Sequence, residues 1–172
     1  MKKQNIGGIV DKPLSGNDII SVVQKNGGDT GLIKYGQLKK VGDIMNVLKN
    51  DCCVILYETK KNFGHWCCLI ETNFGNEKVL EFFDPYGMIM DDELKYSSYS
   101  GKNPRLLQLL YDCDLPISYN HHKFQKMKDG VSTCGAWCAL RIINKGLSLE
   151  QFNNKYGKIG DNGVAQLIHQ QL

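Results

Sequence analysis

The sequence of 172 residues has no hydrophobic run long enough to span a membrane, no internal repeat and no low-complexity tract. Its net charge of +3 is too small to indicate nucleic-acid binding by itself. The N-terminal stretch MKKQNIGGIVDKP carries two lysines but no apolar segment of the kind found in secretory signals. We therefore expect neither a membrane nor a secreted protein, and interpret residues 1–172 as one domain.

The sequence has seven cysteines, an odd number, in a chain long enough to bury a core without disulfide support. Cys52-Cys53 and Cys67-Cys68 are adjacent pairs within apolar runs, where neighbouring side chains of a strand point to opposite faces. This pattern favours buried free thiols in a reducing compartment over a disulfide framework.

Helical and strand patterns alternate in blocks along the chain. Three short apolar runs separated by polar, glycine-containing turns predict an antiparallel meander over 52–58, 65–72 and 78–84, and a further strand with its exit is predicted over 116–125. Spacing and capping signals predict helices over 18–23, 38–48, 104–110, 134–142, from 149 after the capping box of Ser148, and over 164–171. The predicted class is α+β, with helices flanking a small, mainly antiparallel central sheet.

Four chemically suggestive residues follow one another in this frame: His65, Asp84, Gln125 and Cys134. His65 starts the second strand of the meander and Asp84 ends the third, and antiparallel neighbours bring these two positions to the same sheet edge. Cys134 stands at a predicted helix N-terminus, where the backbone N–H groups favour a thiolate. The pattern suits nucleophilic catalysis by cysteine.

That chemistry requires these residue types. A histidine takes the thiol proton and later protonates the leaving amine, while a carboxylate on its other ring nitrogen holds the tautomer. A side-chain amide and the backbone N–H of the cysteine can stabilise the oxyanion of the tetrahedral intermediate. The residue pattern alone leaves other interpretations open, since an Asp-Pro pair also shapes turns and a glutamine is common in loops.

The segments GHWCCLI, FFDPYG, FQ and STCGAWCALR, spanning residues 63 to 141, resemble the adenain-like and SUMO-protease-like cysteine proteases. The maturation proteases of adenoviruses, virophages and related large DNA viruses belong to this class. KPLSGNDI (12–19) is similar to the short N-terminal motif of the viral members. Papain-like enzymes place the cysteine before the histidine, so the chain order disfavours them.

The resemblance implies an adenain-like, papain-related fold in which His65 is the base, Asp84 its orienting acid, Gln125 an oxyanion-hole residue and Cys134 the nucleophile. One departure is the separation of Gln125 from Cys134, which is longer than the class leads us to expect.

The resemblance also implies a protein substrate with glycine or another small residue before the scissile bond, bound in a narrow groove. We expect Gly64, Trp66 and Gly135 to contact this substrate. The short chain favours a protease that cleaves viral capsid or polyprotein precursors. We expect a monomer without a cofactor, acting in the virion or the infected host-cell cytoplasm.

Three other functions remain open from the sequence. The same catalytic residues would serve a ubiquitin-like deconjugase, or an acyltransferase that passes the acyl group to an amine. A non-catalytic binding module could instead hold zinc through Cys134, Cys138, His121 and His122, although that spacing is unusual for zinc. Beside Gln125, a small basic cluster (Lys123, Lys126, Lys128) is typical of solvated surface, and it could also favour an acidic substrate or polyanion.

Overall fold

The computed structural model describes residues 6–97 and 103–172. Within them, five strands form one sheet in the order β1-β2-β3-β4-β5. The strands are β1 (Gly31–Lys34), β2 (Cys52–Lys60), β3 (Phe63–Phe74), β4 (Glu77–Phe83) and β5 (Ile117–Tyr119). The central pairs β2–β3 and β3–β4 are antiparallel, which confirms the predicted meander, while both outer strands pair in parallel.

The alternation of side chains along the central strands produces two apolar cores, one on each face of the sheet. Val54, Cys68 and Phe83 belong to the first core, which helices of the second half of the chain cover together with α2 (Gly16–Lys25). Ile55 and Leu69 belong to the second core. Because both faces are covered, the central strands are nearly continuous apolar runs, and this explains their strong sequence signal.

Six α-helices lie in the described part of the chain: α1 (Ile6–Val10), α2, α3 (Arg105–Tyr111), α4 (Cys134–Ile143), α5 (Leu149–Tyr156) and α6 (Gly160–His169). Capping boxes begin α2 at Ser15 and α5 at Ser148, where each serine side chain accepts a backbone N–H and the third helical residue reaches back. The predicted α+β class, with helices on both sides of a sheet, is confirmed.

The prediction of an α-helix over 38–48 is wrong. This segment instead forms two short 3-10 helices, Tyr35–Lys40 and Ile44–Val47, separated by an extended Val41 and by Gly42. Its apolar residues do face the second core, where Leu38 and Ile44 are buried. The periodicity therefore reported burial correctly, but a 3-10 helix repeats every three residues and is not readily separated from an α-helix over so few positions.

No helix in the described ranges is long and apolar enough to cross a membrane. All seven cysteines fall within those ranges, and all are free thiols, as the sequence predicts.

Candidate active site

His65 and Asp84 meet at one edge of the sheet. His65 lies near the start of β3 and Asp84 directly follows β4. The imidazole Nε2 is 2.7 Å from Oδ1 of Asp84, so the ring donates this hydrogen to the carboxylate. His65 is 7% exposed and Asp84 is fully buried. The structure thus places the two residues as the antiparallel strand order predicts.

The Asp84 carboxylate and backbone are held by groups that sequence reasoning did not single out. Asn120, just after β5, accepts the backbone N–H of Asp84 at 2.9 Å and donates to its carbonyl at 2.7 Å. The backbone N–H of Tyr86 donates to Oδ1 of Asp84 at 2.8 Å. Gly87 closes this turn at a φ of +71°, which favours glycine. The sequence Asp-Pro-Tyr-Gly indicated the turn, whereas Asn120 follows β5, which is far from this turn along the sequence.

Two further side chains border the imidazole. The Tyr86 ring stacks on that of His65, with the centroids 4.2 Å apart and the planes inclined by 10°. Glu93, only 4% exposed, brings Oε1 to 3.8 Å from His65 Nε2. Burial raises the pKa of Glu93. Nothing local in the sequence marks Glu93 as part of this site, because a short 3-10 helix (Asp92–Lys95) carries it there.

Cys134 is the first residue of α4, as predicted, and its thiol lies within hydrogen-bonding reach of the His65 ring. Burial alone would lower the pKa of His65, but the adjacent Cys67 sulfur and the hydrogen bonds to Asp84 and Cys134 outweigh it and hold this pKa well above its ordinary value. Cys134 is 6% exposed. The imidazole is therefore positioned between an acid and a thiol.

The start of α4 is anchored by Asp161, which lies at the beginning of α6. The hydroxyl of Thr133 donates to Oδ1 of Asp161 at 2.6 Å, and the backbone N–H of Lys126 donates to Oδ2 at 3.2 Å. One carboxylate therefore connects the residue before Cys134 with the residue after Gln125.

Gln125 is buried beside the loop that leads to α4. Its Nε2 donates to the carbonyl of Val131 at 3.2 Å and to the Tyr86 hydroxyl at 3.4 Å, while its Oε1 is buried without a partner among the described residues. The second of these contacts is long for a hydrogen bond and joins Gln125 to a ring that stacks on His65. The oxyanion-hole role of Gln125 stays a prediction.

The three predicted substrate contacts are tightly packed. A side chain at Gly64 would meet the carbonyl of Tyr57 on the paired strand, and one at Gly135 would meet Leu14. Trp66 is buried and its Nε1 donates to the carbonyl of Leu14 at 3.1 Å. Close packing accounts for all three residues, and their contact with substrate stays a prediction.

Among the described residues, the structure does not bring together the four zinc ligands considered from the sequence, Cys134, Cys138, His121 and His122. His121 and His122 are exposed near the end of β5, whereas Cys138 is fully buried one turn into α4 with its sulfur 3.4 Å from the carbonyl of Trp66. The three basic side chains beside Gln125 are exposed at the surface.

Comparison with known proteins adds a relative. The chain is 36% identical over 146 residues to the uncharacterized protein V9 of Sputnik virophage, and the match covers 81% of this chain and 80% of V9. This chain belongs to the V9 family. The chain matches no protein-family model.

Solved structures show where the fold of this V9-family protein occurs. Its structure is similar to that of the ASFV pS273R protease, with a TM-score of 0.56 and 13% identity, covering 91% of this chain and 66% of the protease. The selenomethionine form of that protease gives a TM-score of 0.50 at 12% identity over the same shares. The chain thus spans about two thirds of the protease. The predicted protease-type fold is confirmed, and at this identity the likeness concerns the fold alone.

Proposed function

We propose that this V9-family protein is a cysteine endopeptidase of the adenain-like and SUMO-protease-like class. The observation that carries the proposal is the position of the His65 imidazole, bonded to Asp84 at 2.7 Å and within reach of the Cys134 thiol. Such a base, oriented by a third group beside a thiol at a helix start, is the arrangement that activates a nucleophile.

In the first half of the reaction, Sγ of Cys134 attacks the carbonyl carbon of the scissile peptide bond while the thiol proton passes to His65. His65 then gives this proton to the leaving nitrogen, the C–N bond breaks, and a thioester and a free amine result. Asp84 keeps the ring oriented and stabilises the imidazolium during both transfers.

In the second half, His65 removes a proton from water, whose oxygen attacks the thioester carbonyl. The C–S bond breaks, the carboxylic acid leaves and the Cys134 thiol is restored. In both halves we assign stabilisation of the oxyanion to the backbone N–H of Cys134 together with the Gln125 side-chain amide. One hydrogen of that amide bonds the Val131 carbonyl at 3.2 Å, whereas its second bond, to the Tyr86 hydroxyl, is long at 3.4 Å and can be exchanged for one to the substrate oxygen.

The substrate in this proposal is a viral structural precursor cleaved after glycine or another small residue, in the virion or the cytoplasm of the infected cell. Two features support it. The nucleophile is only 6% exposed and the Tyr86 ring covers its partner His65, which favours small groups at the cleavage position. The relative V9 comes from a virophage, and a viral protease shares the fold.

The test is cleavage of a glycine-containing peptide by the purified chain. Cys134→Ala should reduce turnover by roughly 10⁴-fold or more, because it removes the sulfur that forms the thioester. Cys113→Ala is the matched control, since this half-buried cysteine lies in the loop before β5 and should leave turnover intact. Full activity of Cys134→Ala would refute the mechanism.

A fluorogenic ubiquitin-like conjugate distinguishes the endopeptidase from a deconjugase. Turnover of the conjugate without cleavage of the peptide or of a capsid precursor would replace the proposed substrate with a ubiquitin-like one while retaining the chemistry. Iodoacetamide at low dose, read by mass spectrometry, should label Cys134 before Cys52 and Cys53, in which burial raises the pKa to about 12.

A further inference from the structure

The surroundings of His65 contain more potential ligands than the proposed reaction needs. His65 and Cys67 are two residues apart on β3, so their side chains share one face of the sheet. Cys68 pairs with Phe83 on β4, and continuing this register by one residue brings Asp84 opposite Cys67. One ligand atom from each of His65, Cys67 and Asp84 lies within 4.8 Å of the others, and all three residues are buried. No other such group occurs among residues 6–97 and 103–172.

Two carboxylate oxygens beside this group have no hydrogen-bond donor in the part of the chain that the structure describes. Oδ2 of Asp84 and Oε1 of Glu93 are both buried and unpartnered within the described residues. Oε1 of Glu93 lies 3.8 Å from His65 Nε2, the same nitrogen that contacts Asp84. An unsatisfied buried oxygen is costly, and native proteins retain it mainly where a ligand, an ion or the chemistry of the site uses it.

We propose that His65, Cys67 and Asp84, completed by Glu93, form a binding site for Zn²⁺ that overlaps the proposed catalytic pair. One imidazole nitrogen, one sulfur and two carboxylate oxygens make a four-ligand set of the types that zinc takes in tetrahedral sites. The thiolate and imidazole select zinc over Mg²⁺ and Ca²⁺, which prefer sets made of oxygen alone. Binding requires Cys67 as thiolate and His65 neutral, and the protons that these two groups give up pass to solvent.

The consequence for activity rests on the proposed protease function. A zinc ion on Nε2 of His65 takes the place of the hydrogen that this nitrogen donates to Asp84. The neutral, zinc-bound ring then carries its one hydrogen on Nδ1, so it cannot accept the proton of Cys134, and the proton transfers from Cys134 and to the leaving amine are blocked. Zinc therefore acts as a reversible inhibitor, through a thiol other than the nucleophile.

The binding test uses the full chain carrying Cys134→Ala, which removes the catalytic thiol as a ligand and makes the result independent of activity. Co²⁺ is the probe, because a cobalt–thiolate bond gives a near-ultraviolet charge-transfer band and tetrahedral coordination gives intense visible bands. We expect saturation at one Co²⁺ per chain and its displacement by Zn²⁺. No saturable binding, or saturation without a thiolate band, would overturn the proposal.

Three substitutions, each combined with Cys134→Ala, locate the site. Cys67→Ser should abolish the thiolate band and weaken metal affinity by roughly 100-fold or more, since even indirect partners of a metal ligand contribute 10- to 100-fold. Glu93→Gln should weaken it roughly tenfold while keeping the band. Cys113→Ser, the control, should change neither. Circular dichroism of each metal-free variant tests whether it is folded. If Cys67→Ser does not fold, the metal affinity of Glu93→Gln decides whether the metal binds at this site. A band that survives Cys67→Ser in a folded chain contradicts the site.

The inhibition test uses the chain with Cys134 in place and the glycine-containing peptide. Micromolar Zn²⁺ should suppress cleavage and a chelator should restore it. When the rate of each variant is normalised to its rate without zinc, Glu93→Gln should raise the half-inhibitory zinc concentration roughly tenfold. Binding of cobalt without any effect of zinc on turnover would overturn the inhibitory role. A chain that cleaves nothing under any condition would refute the protease function, while the cobalt titration still decides the metal site.

Discussion

At the scale of the residue, Asp84 is the carboxylate whose charge the proposed mechanism needs. Its Oδ1 accepts from His65 and from the backbone N–H of Tyr86, and an asparagine oxygen can accept both bonds. Asp84→Asn therefore preserves the local geometry and removes the charge that stabilises the imidazolium. We expect kcat to fall on the order of 100-fold or more with KM little changed, as measured by steady-state peptide cleavage.

The matched control for this substitution is Asp92→Asn. Asp92 lies in the same part of the chain, and its side chain forms an ion pair with exposed Lys95 at 3.7 Å. We expect its turnover to stay within about twofold of the unmodified chain, because exposed pairs of this kind contribute little. An Asp84→Asn chain as active as this control would remove Asp84 from the mechanism.

At the scale of the element, a buried ion pair joins α4 to the sheet. Arg141, fully buried in α4, contacts both carboxylate oxygens of Glu81 on β4 at 2.8 and 2.9 Å. It also donates to the carbonyls of Asn144 and Leu147, which follow α4. Because α4 begins at Cys134 and β4 leads to Asp84, this pair helps to fix the nucleophile relative to the acid.

Breaking this pair should be strongly destabilising. Glu81→Gln leaves the Arg141 charge buried without its counter-ion, so we expect a loss of about 3–5 kcal/mol in the free energy of unfolding, measured by urea denaturation. A double substitution, Glu81→Leu with Arg141→Met, should lose less than the two single changes combined.

The exposed pair of Lys78 and Glu71, with an N–O distance of 2.9 Å across β3 and β4, is the matched control for the buried pair. Glu71→Gln should cost less than about 1 kcal/mol, because solvent screens this interaction. Equal losses from Glu81→Gln and Glu71→Gln would show that burial does not increase the contribution of the Arg141 pair to the free energy of unfolding.

At the scale of the whole molecule, the two ends of the described chain pack together, since α1 contacts α6. The carbonyl of Val10 accepts from Ser132, two residues before Cys134, at 2.8 Å. The amide of Asn26, after α2, donates to the side chain of Gln171, after α6, at 2.6 Å. The last residue of α1 therefore supports the loop that leads to Cys134.

His169, at the end of α6, is the group from which we predict a pH dependence of this packing. Burial, together with the positive charge of Lys12, lowers the pKa of His169, and Asp18 only partly opposes this. A histidine with a lowered native pKa favours the folded state above its unfolded pKa, and this contribution is lost as pH falls through the native value. We expect the unfolding free energy to decline as pH falls below about 6.5.

His169→Gln should reduce that pH dependence, as measured by urea unfolding at a series of pH values. His121→Gln is the control, because His121 is exposed near β5 and lies outside the contact between the chain ends. An unchanged slope in His169→Gln would show that the packing of the chain ends does not depend on this side chain.

Local sequence determined the elements that carry the candidate site. The apolar runs of the three central strands, the capping box at Ser148 and the start of α4 at Cys134 all agree with the structure. These features depend on near neighbours, since a cap or a buried strand is encoded within a few residues. The antiparallel order of the strands then predicted that His65 meets Asp84, and the family resemblance implied that Cys134 joins them.

Tertiary structure alone decided the remainder. The four-residue strand β1 exists by pairing in parallel with β2, and its own sequence is too short to specify a strand. Glu93, Asn120 and Asp161 reach the site from separate segments, so no local pattern connects them with His65 or Cys134. In the sequence, nothing distinguishes Cys67 from another buried cysteine, and only the register of β3 and β4 places it beside Asp84. Contacts between distant segments depend on the packing of the whole chain, and local sequence preferences do not encode them.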